Sequence, residues 1–385
     1  MDLKNITKPY NNSVGRALTK RGIPYFRLIK NIIQAGLGYK QKRFIYDDIN
    51  SAATTKICST KDYTKYILNQ LGAPIPDGEK IESVEELKRV FRRIKKPVVI
   101  KPISEMWGRG VTTNITNLKE AVRAYRIARK YSPCYVIMEE HIQGDDYRIL
   151  FIGGKYIAAV KRMPPYIVGN GTDSIKKLIE RENLKRKEGK KKIKEILIDE
   201  TVSLCLKKQG FTLGDVLPKG KKVQVRMTAN ICSGGYSKNV SEVVHSSIIE
   251  LCQEIISCLD LEIGGIDVIT TDIGKPLDQT GGKITEVNEN PALSMHNYPY
   301  FGKKINTAQI FIDYLYPRPQ DAWIRIKKGS RIIKSQKVLN KYLAEIPQKV
   351  IQKKDRNSNQ KVVIKKPDKP LLNYLLSNLT VSIDL

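Results

Sequence analysis

The sequence lacks most of the signatures that would place it quickly. It has only three histidines, His141, His245 and His296, and no H-E-x-x-H pair. That speaks against a zincin site and against Ser-His-Asp chemistry, and no G-x-S-x-G elbow is present. The six cysteines are Cys58, Cys134, Cys205, Cys232, Cys252 and Cys258. None forms a C-x-x-C pair, so neither a zinc ribbon nor a disulfide scaffold is expected; reduced, mostly buried thiols are. No apolar run approaches the roughly 18 residues that a membrane span needs, and the first residues carry no apolar signal core. A cytoplasmic protein with no membrane partner is the expectation. A Walker A loop is missing too.

What the 385 residues do have is positive charge: 68 Lys+Arg against 39 Asp+Glu, a formal net charge of +29. Such a balance suits anionic partners, whether nucleotides, nucleic acid, acidic peptides or a membrane surface, and does not choose among them. Hydrophobic residues make up 41 %, which argues against global disorder.

Along the chain, residues 1–37 read as a basic lead-in without a clear period. Residues 38–96 carry helical signals. Ser59–Asp62 resembles a capping box ahead of Ile67, Leu68 and Leu71, and Ser83–Glu86 is a better one ahead of Leu87, Val90, Phe91 and Ile94. Between them Ala73–Gly78 reads as a loop. Residues 97–163 read as a small α+β lobe: a strand at Pro97–Pro102, a glycine loop at Ser104–Gly110, and a helix capped by Asn117. A strand at Cys134–Glu140 follows, then a hairpin turning on Gly153-Gly154. Residues 164–316 hold a lysine-rich helical stretch, a long amphipathic helix at Ser241–Asp260, and strands at Ile263–Thr271 and Lys283–Val287. Residues 317–385 form a basic tail with 16 Lys+Arg and 5 Asp+Glu.

Two groups of residues suggest chemistry. Lys101 ends the P-V-V-I-K-P strand just before the glycine loop, so a cation stands beside backbone N–H groups, as polyphosphate binding requires. Glu286 and Asn288 alternate on one strand and point to one face, while Asp267 ends the neighbouring G-G-I-D run. Two carboxylates and an amide oxygen make a hard, oxygen-only site suited to Mg²⁺ shared with nucleotide phosphates.

The order of these features carries more than any one of them. V-V-I-K-P, the glycine loop, V-I-M-E-E-H-I and G-D-D-Y-R are followed by V-R-M-T-A-N-I-C-S-G-G, G-G-I-D and E-V-N. This series, from about Gly36 to Pro317, resembles the ATP-grasp ligases, and within them the ATP-grasp module of cyanophycin synthetase. The resemblance implies an α+β fold, the ATP-grasp fold, in which two α+β lobes clasp ATP. It implies ATP and Mg²⁺ as cofactors, with Mn²⁺ as an alternative. Lys61 and Lys101 match the phosphate lysines, Gly108 and Gly110 the loop closing over the phosphates, and Glu139 and Ile142 the adenine hinge. Asp146 and Arg148 match the D-Y-R signature, Arg162 a basic residue after the hairpin, and Arg226 the arginine expected to stabilise the transferring phosphoryl group. Asp267, Glu286 and Asn288 match the metal ligands. Ser233, Gly234 and Gly235 resemble the substrate-side turn, and His296 falls near the substrate end. Thr60, Trp107 and Ala292 depart from the family pattern, Ala292 standing where glycine is usual.

The implied reaction is amide formation through an acyl-phosphate on an amino acid or peptide, with an acidic polypeptide as one candidate. A homo-oligomer stays open. The competing reading is a basic nucleic-acid-binding protein with an inactive or secondary core. It lacks aromatics at stacking intervals and any recognition motif.

Overall fold

The computed structural model describes residues 12–29, 32–36, 41–45, 48–103, 110–188, 194–317, 323–326, 350–354, 360–364 and 383–384. The glycine-loop residues 104–109, including Gly108, lie outside the described residues. The chain divides into two units, Asn50–Thr307 and a second made of Met1–Ile49 with Ala308–Leu385.

In the second unit, part of the expected lead-in is regular structure. A helix at Ser13–Lys20, capped by Asn12, precedes three antiparallel strands, Tyr25–Ile29, Ile32–Ala35 and Lys42–Ile45. Phe44 meets Phe311 edge to face at 5.8 Å between centroids. Within the basic tail, Trp323–Ile326, Val350–Lys354, Gln360–Ile364 and Ile383–Asp384 form a four-stranded antiparallel sheet.

Asn50–Thr307 is built on two larger antiparallel sheets. The smaller runs Gly78–Ile81, Val136–Glu140, Val98–Pro102, Thr112–Ile115. Helices Val84–Arg93 and Leu118–Arg129 share its core. Both begin as the sequence suggests: the Ser83 Oγ accepts from Glu86 N at 3.1 Å, and the Asn117 Oδ1 from Glu120 N at 2.9 Å. Burying Leu87, Val90 and Phe91 contributes about 1.5–3 kcal/mol for each side chain. The signal at Ser59–Asp62 is not a cap. Ser59 ends a separate helix, Ala52–Ser59, and its hydroxyl donates back to Lys56 O. The next helix, Lys61–Gln70, starts at Thr60 without a side-chain cap. The strand Gly78–Ile81 begins at the last residue of the Ala73–Gly78 segment read as a loop.

The larger sheet has five strands in the order Tyr236–Asn239, Lys155–Met163, Asp145–Ile152, Ile263–Thr270, Lys283–Asn288. The hairpin 145–163, expected to complete the lobe begun at Pro97, pairs into this sheet instead. Its turn residues have φ of +57° and +69°, which only the Gly153-Gly154 pair adopts at no cost. Alternation divides the sheet sharply. Tyr147, Ile149, Phe151, Ala159, Ile266 and Val268 pack with Ile248, Cys252, Ile255 and Ile256 of helix Ser246–Cys258. Asp146, Arg148, Arg162 and Asp267 stand on the opposite face. Without burial of the first face there would be no fixed platform for the second.

Candidate active site

The sheet register assembles the charged face. Asp267 lies opposite Arg148 on one side and Glu286 on the other, while Asp146 lies opposite Arg162. The Arg148 guanidinium grips Asp267 with two nitrogens, Nε to Oδ1 and Nη2 to Oδ2 at 3.1 Å. Arg162 Nη2 bridges Asp267 Oδ2 at 2.8 Å and Asp146 Oδ1 at 2.5 Å. Room for Arg148 comes from Gly265: a Cβ there would meet Arg148 Cδ at 2.7 Å and Pro291 Cβ at 2.7 Å.

Asp267 is only 3 % exposed. Burial pushes its pKa up, but Arg148 and Arg162 outweigh that and hold it below the usual carboxylate range. For Asp146 burial wins, helped by Asp267, and its pKa is raised despite Arg162. His296 is 1 % exposed. Burial, with Arg148 and Arg162 adding to it, lowers its pKa to about 3, so it is a neutral imidazole.

A second group lies in an open cleft against the edge strand Lys283–Asn288. Helix Lys61–Gln70 supplies Lys61, Thr64 and Lys65; the small sheet supplies Lys101, Ile137 and Glu139; the edge strand supplies Glu286 and Val287. Lys101 Nζ contacts Glu139 Oε1 at 2.5 Å, and Lys65 Nζ stands 3.8 Å from Glu139 Oε2. Lys61 Nζ lies 3.4 Å from Glu286 Oε1. The pKa of Lys65 is lowered, mainly by burial, with Lys101 adding repulsion and Glu139 opposing. Its Nζ is buried without a hydrogen-bond partner. Sequence reading selected Lys61 and missed Lys65. The signal available was helical spacing: four residues on, Lys65 shares the face that Lys61 presents.

Glu286 joins the two groups, since it lines the cleft and lies opposite Asp267. Among the described residues no trio of His, Cys, Asp and Glu gathers as a metal site; the third donor of this trio is an amide. The trio fits a hard divalent cation. All three side chains offer an oxygen, the donor such a cation takes; the Asn288 Nδ2, buried without a hydrogen-bond partner, is an N–H donor and takes no part in that ligation. Of a carboxylate's roughly four lone-pair positions, Asp267 spends three on the arginines and keeps one on Oδ1.

Other expected site residues do not line this cleft. Arg226 Nη2 donates to Leu197 O at 2.9 Å and to Asp199 Oδ2 at 2.5 Å, and Asp199 also caps helix Glu200–Lys208. The Ser233 hydroxyl donates to Asn230 O at 3.1 Å. Gly234 O accepts from Arg186 Nη1 at 2.7 Å, and the Arg186 guanidinium stacks 4.7 Å over Tyr236. Arg186, 4 % exposed, thus anchors the Ser233–Gly235 turn from within the lysine-rich helical stretch. Gly235 follows in the same turn. Ile142 follows the strand Val136–Glu140, where His141 N bonds Pro97 O at 2.8 Å. Gly110, with φ +70°, leads into Thr112–Ile115. His245 caps helix Ser246–Cys258, its ring accepting from Ser247 N at 3.2 Å.

This arrangement has known relatives. The family model for the ATP-grasp domain of prokaryotic glutathione synthetase matches residues 65–214. The solved bifunctional glutathione synthetase of Pasteurella multocida superposes with a TM-score of 0.58 at 26 % identity, over 79 % of this chain and 43 % of that one. The chain has the ATP-grasp fold. The cyanophycin synthetase of Trichormus variabilis is 34 % identical over 337 residues, 84 % of this chain and 37 % of the relative. The glutathione biosynthesis bifunctional protein GshAB of Streptococcus mutans is 32 % identical over 254 residues, 63 % of this chain and 33 % of the relative. The chain therefore spans little more than a third of the curated relatives it matches. The ATP-grasp resemblance holds, and the nucleic-acid reading gains no support from these relatives.

Proposed function

We propose that the protein is an ATP-dependent carboxylate–amine ligase acting on an amino acid or peptide. The observation that carries this reading is the sharing of Glu286 between a three-lysine cleft and an oxygen-donor trio. A nucleotide triphosphate bound there would meet cations on one side and a metal-ligand set on the other. The names of the relatives, a cyanophycin synthetase and a glutathione biosynthesis protein, support the same class of chemistry.

In this reading a carboxylate oxygen of the substrate attacks the γ-phosphorus and ADP leaves. The amine nitrogen of the second substrate then attacks the acyl carbon. The bond from that carbon to the phosphate oxygen breaks, inorganic phosphate leaves, and the amine loses a proton to solvent. Lys61, Lys65 and Lys101 hold the phosphates, leaving their present carboxylate partners to do so. Arg148 and Arg162 face the developing charge from the sheet, and Arg226 is assigned to the transferring phosphoryl group. Glu139 and Ile142 hold the adenine and Asp146 lies near the ribose. Gly108 and Gly110 belong to the loop that excludes water. Ser233, Gly234, Gly235 and His296 flank the substrates. Asp267, Glu286 and Asn288 would hold Mg²⁺, or Mn²⁺ in its place, which supplies charge neutralisation at the phosphates when bound.

The excess positive charge favours an acidic peptide as one substrate, and the need for ATP places the reaction in the cytoplasm. The test is phosphate release with ATP, Mg²⁺ and a panel of amino acids and acidic peptides, with product masses recorded. A product lighter by one water than its two substrates together is expected. Neither nucleotide binding nor phosphate release under any pairing would refute the reading.

A further inference from the structure

Asn50 has no part in the motif series, yet its side chain lies where the two metal-ligand strands separate. The last paired residues of these strands are Gly265 and Asn288. Beyond that pair the backbone of Glu289 leaves the ladder on its way to Pro291. Asn50 Nδ2 donates to Glu289 O at 2.8 Å and to Ile263 O at 2.8 Å, while Asn50 Oδ1 accepts from Ile263 N at 3.2 Å. Toward Ile263 the carboxamide thus behaves as a strand residue, giving and taking one bond. Its second N–H carries the clasp across to the residue after Asn288.

The next residue, rather than the Asn50 side chain, serves the cleft. Ser51, next in the chain, caps helix Ala52–Ser59 by accepting from Thr54 N at 3.1 Å. That helix leads into Lys61–Gln70, which carries Lys61 and Lys65. One short segment therefore fixes both the ends of the strands that bear Asp267, Glu286 and Asn288 and the start of the helices that bear the lysines.

We propose that Asn50 is a positioning residue for the metal-ligand strands, holding the Asn288–Glu289 backbone so that the Asn288 amide oxygen faces the site beside Glu286. This rests on the metal reading given above. Only a carboxamide supplies two donors and an acceptor in one plane at this length. Aspartate would retain the bond from Ile263 N but set a carboxylate against two carbonyl oxygens.

The test is Mn²⁺ binding to the full chain with saturating ADP, followed by the electron paramagnetic resonance signal of free Mn²⁺, alongside ADP binding without metal. Asn50→Asp and Asn50→Ala should weaken Mn²⁺ by about tenfold or more, as loss of a partner that orients a ligand does, with metal-free ADP affinity unchanged within about twofold. Excess Mg²⁺ should restore turnover in both variants. Should Asn50→Asp fail to fold, Asn50→Ser gives the same comparison. Mn²⁺ affinity equal to wild type in these variants overturns the proposal. So does a parallel loss of metal-free ADP affinity, which would mark general disruption. Wild-type protein that takes up no Mn²⁺ overturns the metal reading itself, and is distinguished because wild type and variants are then alike.

Discussion

The cleft and the charged sheet face use the same two charges in opposite ways. In the cleft, lysine ammonium groups face carboxylates: Lys61 with Glu286 at 3.4 Å, Lys65 with Glu139 at 3.8 Å and Lys101 with Glu139 at 2.5 Å. On the sheet face, Arg148 grips Asp267 with two nitrogens and Arg162 bridges two aspartates. A lysine ammonium is a compact charge on a flexible stem and can exchange partners when a phosphate arrives. A guanidinium fork is fixed by its plane and holds what it grips. The difference separates the exchangeable part of the site from the fixed part, and both meet at Glu286.

The largest effect should come from breaking the fixed part. Asp267→Asn leaves the buried Arg148 and the half-buried Arg162 guanidinium groups without their shared counter-charge, and should cost about 3–5 kcal/mol in a denaturant titration. Acid probes the same region. His296 is held neutral with a folded pKa of about 3 against an ordinary 6.5. The unfolded chain therefore takes up a proton below about pH 6.5 that the folded chain refuses until about pH 3. Stability from this residue is complete above that window and falls as pH drops through it. His296→Gln should remove this share of the acid sensitivity, visible as a smaller fall in stability between pH 6.5 and pH 4 than in wild type.

A smaller change, of opposite sign, is expected in the chain linking Asn288 to His296. Ala292 has φ +53°, left-handed backbone where a Cβ is strained. Ala292→Gly should stabilise the fold by about 1 kcal/mol, read as a raised Tm. Least affected in stability should be the cleft. Lys61 is partly exposed and its partner Glu286 is 38 % exposed, so Lys61→Met should shift stability by less than about 1 kcal/mol. Its nucleotide affinity should fall roughly tenfold, the order of one charged hydrogen bond. A Lys61→Met loss of stability as large as that of Asp267→Asn would erase the contrast.

Much of this was legible in the sequence because its physics is local. Ser83 and Asn117 cap their helices, Gly153-Gly154 turns its hairpin, and Glu286 and Asn288 share a strand; each depends on residues a few positions apart. Reading Asp146, Arg148, Arg162 and Asp267 as site residues needed the ordered motif series. Their mutual bonds could not be read, because register between Asp145–Ile152 and Ile263–Thr270 is set more than a hundred residues away. Lys65, Arg186 and Asn50 were missed for a related reason. A lysine, an arginine in a basic helix and a lone asparagine look like solvated surface until packing buries the arginine and half-buries the other two. The capping signal at Ser59 failed because a second helix already ended there.

The most direct test of the account is ADP binding measured by titration calorimetry with and without Mg²⁺, in wild type and in Glu286→Gln. Wild type should bind ADP in both conditions and more tightly with Mg²⁺. Glu286→Gln should keep the metal-free binding and lose the gain from Mg²⁺. No ADP binding by wild type in either condition, or a full Mg²⁺ gain in Glu286→Gln, would contradict it.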